Sequence, residues 1–88
     1  MKVKKSELSK TEIAVVDRIR DLMVEKNISI NELAARCGIP RTTLRDILNH
    51  VSHNPKILNL KCICDGLNIS LREFFDTDTF ENLEQEIR

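Results

Sequence analysis

The chain has few aromatic residues and few of the residues that form tight turns or covalent cross-links. Its 88 residues include no Trp and no Tyr, only two Gly and two Pro, and three Cys. No convincing alternation of apolar and polar residues indicates a β-strand. A chain of this length can bury a small core without metal or disulfide staples. The sequence therefore predicts one small all-helical domain.

Two further absences exclude membrane and enzyme classes. No apolar run is long enough to cross a bilayer, and the N-terminus lacks the apolar core of a signal peptide. We therefore expect a cytoplasmic protein with reduced thiols and no membrane partner. There is also no Gly-rich phosphate loop and no plausible pair of nucleophile and base. We accordingly expect no enzymatic activity and no cofactor.

The zero net charge conceals an uneven distribution. Residues 36–61 carry five positive groups and one negative group, whereas residues 62–88 carry two positive and seven negative groups. A basic stretch attracts phosphates, and an acidic segment elsewhere would repel DNA and orient the protein. The alternative is a solvated surface of mixed charge.

Residues 30–49 contain two groups of apolar residues at helical spacing, which predict two short helices joined by a sharp turn. Gly38 suits the positive φ at the end of the first helix, and Pro40 suits the first turn of the second. Ala34 is small enough to let the two helices approach closely. The apolar positions are Ile30, Leu33, Ala34 and Cys37, followed by Leu44, Ile47 and Leu48.

This unit resembles the helix-turn-helix of the phage repressor/Cro-type (XRE-like) family, which has a lambda-repressor-like domain. The family motif has a small residue and then Gly four positions later, here Ala34 and Gly38. The resemblance covers about residues 11–76. It implies a compact bundle of five short helices and a transcriptional repressor that binds double-stranded DNA. The flanking apolar positions are Leu33, Cys37, Ile39, Leu44 and Ile47.

Helix boundaries follow from capping signals. Three Ser-x-x-Glu sequences predict capping boxes at helix starts, and Asn27 and Asn68 predict helix ends because Asn tolerates the left-handed conformation. Helix four is predicted from about Lys56 to Leu67. The three boxes pair Ser9 with Glu12, Ser29 with Glu32 and Ser70 with Glu73. The residues expected to face inward from helix four are Ile57, Leu60, Ile63, Cys64 and Leu67.

The predicted reading helix, residues 40–49, has a polar side opposite its apolar side. Thr42, Asp46 and Asn49 point away from the core at 100° per residue, with Arg41 and Arg45 beside them. Arg can bond both acceptors of a guanine edge, Asp can accept from cytosine or hold an Arg, and Thr can touch a thymine methyl. We predict that these five side chains read bases; the alternative is an ordinary solvated helix face.

The predicted phosphate contacts come from three places: the start of helix two, the reading helix and the loop 50–56. The family often has a Gln at the start of helix two. This chain has Ile30 there, so Ser29, Asn31 or the helix N-terminus is expected to replace that contact. No Cys or carboxylate lies at ligand spacing near the two His of the loop, so no metal is expected. The predicted set is Ser29, Asn31, Thr43, Ser52, His53, Asn54 and Lys56.

The predicted domain, residues 9–76, is flanked by two distinct segments. The basic residues 1–8 are either an arm along the DNA or a solubilising terminus. Residues 77–88 form an amphipathic helix or tail, whose stripe packs on its own domain or on a second copy about a two-fold axis. Since one helix-turn-helix reads only a few base pairs, we expect a homodimer on a palindromic operator. The stripe consists of Phe80, Leu83 and Ile87.

Two other functions are compatible with the same fold. One is an antitoxin that binds DNA but whose main partner is a toxin or another regulator. The other is a protein-interaction module that does not bind DNA. Arg41 and Arg45 argue against the second, because a module without DNA does not need basic side chains on this helix.

Overall fold

The computed structural model describes residues 9–51 and 54–87, and in these ranges the chain forms helices and no strands. The predicted all-α class is confirmed. None of the helices in this part of the chain is long and apolar enough to cross a membrane. The helices are α1 (Lys10–Glu25), α2 (Ile30–Cys37), α3 (Arg41–Leu48), α4 (Ile57–Gly66), α5 (Leu71–Phe75) and α6 (Asp78–Glu81).

One hydrophobic core joins α1 to α5. Helix α2 is central, since it packs on both α3 and α4. Gly66 allows α4 to approach α2 closely: a Cβ at this position would lie 3.1 Å from Cβ of Cys37 and from Cδ1 of Leu33. The largest fully buried side chains are Phe74, Ile19, Leu33, Leu44, Ile47, Ile63 and Leu67.

The predicted starts of α1, α2 and α5 are confirmed. In each, a Ser side chain accepts a hydrogen bond from the backbone N–H three residues later. Only α5 has the complete capping box, because the carboxylate of Glu73 also accepts from the Ser70 N–H at 3.2 Å. The carboxylates of Glu12 and Glu32 contact other side chains, so the first two predicted boxes are only half formed.

The predicted helix ends are also confirmed. Asn27, Gly38 and Asn68 have φ angles of 55°, 70° and 59°. These are left-handed conformations, which Asn and Gly adopt more readily than other residues. Pro40 has φ −54° and ψ 139°, so it lies just before α3 as the N-cap instead of inside the first turn.

One prediction about α4 is wrong. Ile57 was expected to face inward, but 66% of it is exposed. It is the first residue of α4, whereas Gly66, where α2 packs, lies nine residues or about 13 Å further along. A helical pattern predicts which face is apolar; it does not predict how far along the helix a neighbour covers that face.

The C-terminal segment is less helical than predicted. Helix α6 ends at Glu81, so Leu83 and Ile87 lie beyond it, and Ile87 is 85% exposed. Phe80 packs back on its own domain, with its ring centroid 5.9 Å from that of Phe74 and 4.9 Å from that of Phe75.

Polar contacts fasten this segment to α1. Lys10 Nζ lies 2.6 Å from Glu84 Oε1, and Thr11 Oγ1 donates to Glu86 Oε2 at 2.7 Å. From the middle of α1, the Arg18 guanidinium donates to the carbonyl oxygens of Glu73 and Phe74, at 2.9 and 2.8 Å. The chain after α5 therefore lies along α1.

Candidate nucleic-acid interface

The turn between α2 and α3 positions the predicted reading helix. Ala34 is buried, and Gly38 closes α2 with its N–H bonded to the Ala34 carbonyl at 3.0 Å. Helix α3 then buries its apolar side against the other helices through Leu44, Ile47 and Leu48. Because that side is fixed in the core, the opposite side of α3 must face solvent.

Four of the five predicted base-reading residues lie on this outer side. Arg41, Thr42, Arg45 and Asp46 are all exposed. Their groups include Arg donor forks, a carboxylate acceptor and a hydroxyl, which are the groups that hydrogen-bond base edges in a major groove. The sequence pattern therefore placed these four side chains correctly on the surface.

The fifth, Asn49, differs from its expected placement. It is half-buried at the C-terminal end of α3, and its Oδ1 accepts from Nη2 of Arg20 at 3.3 Å. The same Arg20 nitrogen donates to the carbonyl oxygen of Leu48 at 2.7 Å. Arg20 therefore holds the last turn of α3 against α1. No pattern in the sequence indicated this role, because Arg20 and Leu48 are 28 positions apart.

A hydrogen bond joins the predicted base-reading and phosphate-contacting residues. Nη1 of Arg41 donates to Oδ1 of Asn31 at 3.1 Å, so the starts of α2 and α3 lie side by side. Ser29 is exposed at the same end, and its oxygen accepts from the Glu32 N–H at 3.1 Å. A hydroxyl that accepts one bond can still donate its proton, so Ser29 remains able to bind a phosphate oxygen.

The remaining residues predicted to contact phosphates differ in how exposed they are. Asn54 and Lys56 are exposed, Thr43 is half-buried, and Ser52 and His53 lie outside the described residues. Neither α3 nor α4 has a side-chain cap, so the N–H groups of their first turns can receive an anion.

Not every basic side chain of residues 36–61 is available to bind a ligand. Arg36 pairs with Glu32 at 2.8 Å, and Lys61 pairs with Asp65, both one helical turn apart. Arg45, like Arg41 and Lys56, has no ion pair with a carboxylate in the described part of the chain. These three cations therefore remain available for a negatively charged ligand.

The pattern also did not indicate the role of His50. It follows α3 with φ 60°, and its Nδ1 lies 3.4 Å from Oε2 of Glu12 on α1. Within residues 9–51 and 54–87, Glu12 is the one buried charged side chain. This contact and the one from Arg20 both fix the chain that leaves the predicted reading helix.

Two of the three thiols lie in surroundings that disfavour their charged form. Burial raises the pKa of the Cys37 and Cys64 thiols above its ordinary value, which disfavours the reactive thiolate at both positions. In the described ranges, no three His, Cys, Asp or Glu side chains come together as a metal site would require.

Comparison with known proteins assigns the family. The helix-turn-helix family model matches residues 19–74, which is more than half of the chain. The chain belongs to this family, the XRE-type helix-turn-helix DNA-binding proteins. Members are DNA-binding proteins and not enzymes, in agreement with the expectation from the sequence.

One individual relative is a transcriptional regulator. The HTH-type transcriptional regulator SlrR of Bacillus subtilis (strain 168) is 36% identical over 61 residues, which cover 69% of this chain and 40% of SlrR. The chain thus spans less than half the length of that regulator.

Two solved structures have a similar fold. The wild-type restriction-modification controller protein C.Esp1396I matches with a TM-score of 0.64 and 31% identity, over 70% of this chain and 79% of that one. The SinR protein/SinI protein complex matches with a TM-score of 0.64 and 29% identity, over 82% of this chain and 69% of that one.

Proposed function

We propose that this protein is a sequence-specific transcriptional regulator, acting as a repressor, that reads the major groove of double-stranded DNA with α3. The observation that carries the proposal is the composition of the outer face of α3. Arg41 and Arg45 are exposed there without carboxylate partners among the described residues. As like charges at i and i+4 they destabilise the helix by a few tenths of a kcal/mol, which a bound nucleic acid offsets.

Base reading would use the four exposed side chains. Arg45, in the middle of α3, can present its two parallel donors to O6 and N7 of a guanine. Asp46 would accept from a cytosine amino group, and Thr42 would contact a thymine methyl or a base edge. Arg41 would exchange its hydrogen bond to Asn31 Oδ1 for one to a base, while the Asn31 side-chain NH2 group donates to a phosphate.

Backbone contacts would fix the register of α3 in the groove. Ser29 and Asn31 lie at the start of α2, whereas Asn54 and Lys56 precede α4. The uncapped N–H groups at the start of α4 add a partial positive charge beside Lys56. Contacts of this kind give affinity without sequence preference.

The proposed binding unit is a homodimer on a palindromic operator. Two copies present two reading helices about 34 Å apart, the spacing of successive major grooves. A dimer that covers a promoter would block transcription, which is the basis of the proposed repression. The name of SlrR, a transcriptional regulator, supports this class of function. The cytoplasm remains the predicted location.

Replacing Arg45 with Ala tests base reading. We expect affinity for the best selected site to fall by about 1–3 kcal/mol and the preference at one base pair to relax. Binding to randomised duplexes, followed by sequencing of the bound fraction, measures both. A variant that kept affinity and preference would refute the assignment of this face.

Lys56→Ala is the matched control on the same surface. It should weaken binding to all sequences about equally and lower the slope of log affinity against log salt by roughly one. A loss confined to one sequence would contradict the role of Lys56 as a phosphate contact.

A second candidate is a DNA-binding protein whose main partner is another protein, such as a toxin or a second regulator. The observation that favours it is the similarity to SinR in a complex with SinI. A variant with both Arg41 and Arg45 changed to Ala discriminates the two. If the regulatory effect is lost with DNA binding, the reading of DNA carries the function. If it persists, the protein partner carries it.

A further inference from the structure

Two carboxylates from the chain that follows α6, residues 82–87, lie on the first turn of α1. Oε1 of Glu84 is 2.6 Å from Nζ of Lys10, and Oε2 of Glu86 accepts a hydrogen bond from Oγ1 of Thr11 at 2.7 Å. We call Lys10 and Thr11 the α1 anion site, because their ammonium and hydroxyl groups hold two anionic groups of the same chain. A DNA phosphate offers these donors the same kind of charged oxygen acceptor.

The α1 anion site borders the surface that the proposed function assigns to the DNA backbone. Thr11 lines one open groove together with Asn54 and Pro55, which precede α4. Glu12, the next residue of α1, lies 3.4 Å from Nδ1 of His50, which follows the proposed reading helix. The first turn of α1 is therefore next to both ends of the connection from α3 to α4, where the phosphate contacts are proposed.

Both contacts at the site can be exchanged for a ligand. The side chains of Lys10 and Glu84 are 66% and 57% exposed, and ion pairs this exposed are weak because water solvates both partners. The helix that carries the donors is fixed independently, since Val16 and Ile19 of α1 are fully buried in the core. Lys10 and Thr11 therefore stay in place when the two carboxylates leave.

Carboxylates at this site oppose DNA binding. While Glu84 and Glu86 remain there, their negative charges lie beside the phosphates that Asn54 and Lys56 are proposed to hold, and like charges repel at such short range. When the same carboxylates leave, the ammonium group of Lys10 becomes available and the surface attracts a phosphate instead. Contact of residues 82–87 with α1 and binding of DNA therefore compete.

We propose that Lys10 and Thr11 bind a phosphate of the DNA backbone, and that Glu84 and Glu86 occupy this site in the free protein until DNA displaces them. The proposal rests on the proposed function and adds to it a backbone contact and an internal competitor for that contact. The measured affinity for DNA is then lowered according to the fraction of molecules in which the site is occupied.

DNA binding by the full chain with both Glu84→Gln and Glu86→Gln tests the proposal. Glutamine keeps the size of each side chain and removes its charge. We expect affinity to rise about fivefold, for the best selected duplex and for an unrelated one alike, because a backbone contact carries no sequence information. The gain should shrink as salt is raised, since salt screens the pair between Lys10 and Glu84 in the wild type.

Two further variants separate this effect from a general loss of negative charge. Asp17→Asn combined with Glu81→Gln removes the same two charges at exposed positions of α1 and α6. Asp17 lies about 9 Å further along α1 than Thr11. Affinity of this control should rise less than about twofold, because solvent and salt screen charges at such distances. Adding Lys10→Gln to the doubly substituted Glu84 and Glu86 variant should remove most of its gain, because the phosphate donor is lost.

NMR spectra of the wild type follow the displacement directly. Addition of the selected duplex should move the backbone amide resonances of residues 82–87 toward random-coil positions, because these residues leave α1. The proposal is overturned if these resonances stay in place while DNA is bound, if the control gains as much affinity as the Glu84 and Glu86 variant, or if Lys10→Gln leaves that gain intact.

The selected duplex separates this proposal from the proposed function. If neither the wild type nor the Glu84 and Glu86 variant prefers any sequence over random duplex, the proposed function fails, and the proposed competition fails with it. If the wild type binds its selected duplex and removal of the two carboxylates changes nothing, only the proposal about the α1 anion site fails.

Discussion

The helix-turn-helix, residues 30–48, and the C-terminal segment, residues 76–87, are held in place by different forces. Behind the polar surface of the first, Leu33, Leu44 and Ile47 are fully buried. The second has one helical turn, and beyond Phe80 it contacts α1 through exposed polar bonds that Glu84 and Glu86 accept from Lys10 and Thr11. Burying large apolar side chains stabilises by several kcal/mol, whereas exposed ion pairs contribute little.

This difference matters for function. A side chain reads a base only if the backbone that carries it is fixed, because a hydrogen bond weakens steeply with small errors in distance and angle. Arg41, Thr42, Arg45 and Asp46 lie on a helix whose other side is core. Beyond Phe80, by contrast, the acidic side chains Glu84 and Glu86 are held on α1 by exposed polar contacts. Specific contacts are therefore expected from the first region and adjustable ones from the second.

The largest expected effect comes from the core of the helix-turn-helix. Leu44→Ala should lower the free energy of unfolding by about 2–5 kcal/mol, because it leaves a cavity at a fully buried position. Leu83→Ala, in the C-terminal segment, is the matched change and should cost less than about 1 kcal/mol, since Leu83 is half-buried outside a helix. Urea unfolding of both variants measures the difference. Equal losses would contradict the comparison.

Removing the contact that holds the end of α3 should have a smaller effect. Arg20→Met keeps an apolar stem but loses the bonds to Leu48 and Asn49, and should cost about 1–2 kcal/mol. Arg36→Met is the control, because its exposed pair with Glu32 should contribute less than about 0.5 kcal/mol. Hydrogen exchange should also speed up selectively in the last turn of α3. A uniform change along the chain would argue against the assigned role of Arg20.

The turn itself should be the next most sensitive site. Gly38→Ala should cost about 1 kcal/mol, because Gly38 has φ 70° and an L residue is strained there. The cause is the backbone alone, since a Cβ at this position meets nothing within 4 Å. Gly38→Asn should recover part of the loss, as Asn tolerates this conformation. Thermal unfolding of the two variants measures both losses; an equal loss would contradict backbone strain as the cause.

Sequence reasoning succeeded where the signal is local. The helix ends at Asn27, Gly38 and Asn68 depend on the conformational preference of one residue, and that preference is visible in the sequence. The exposed placement of Arg45 and Asp46 follows from the helical period of their own segment. Local signals of this kind predicted the helix-turn-helix and most of its outer face.

Sequence reasoning missed features that depend on distant residues. The bond from Arg20 to Leu48 joins residues 28 positions apart, and the contact between His50 and Glu12 joins residues 38 apart. The side chain of Asn49 was misplaced because its partner lies on α1. The same limit explains α6: apolar spacing predicted a helix to Ile87, but packing fixes only Phe80.

The smallest expected effect concerns the exposed ion pair that joins the C-terminal segment to α1. Lys10→Gln removes the charge that pairs with Glu84, 2.6 Å away and exposed to solvent. Because solvent and salt screen such a pair, the free energy of unfolding should change by less than about 0.5 kcal/mol. Hydrogen exchange of residues 82–87 should nevertheless speed up, while exchange in α2 and α3 stays as in the wild type. A loss above about 1 kcal/mol, or faster exchange throughout the domain, would mean that the C-terminal segment supports the core and that the two regions do not differ as described.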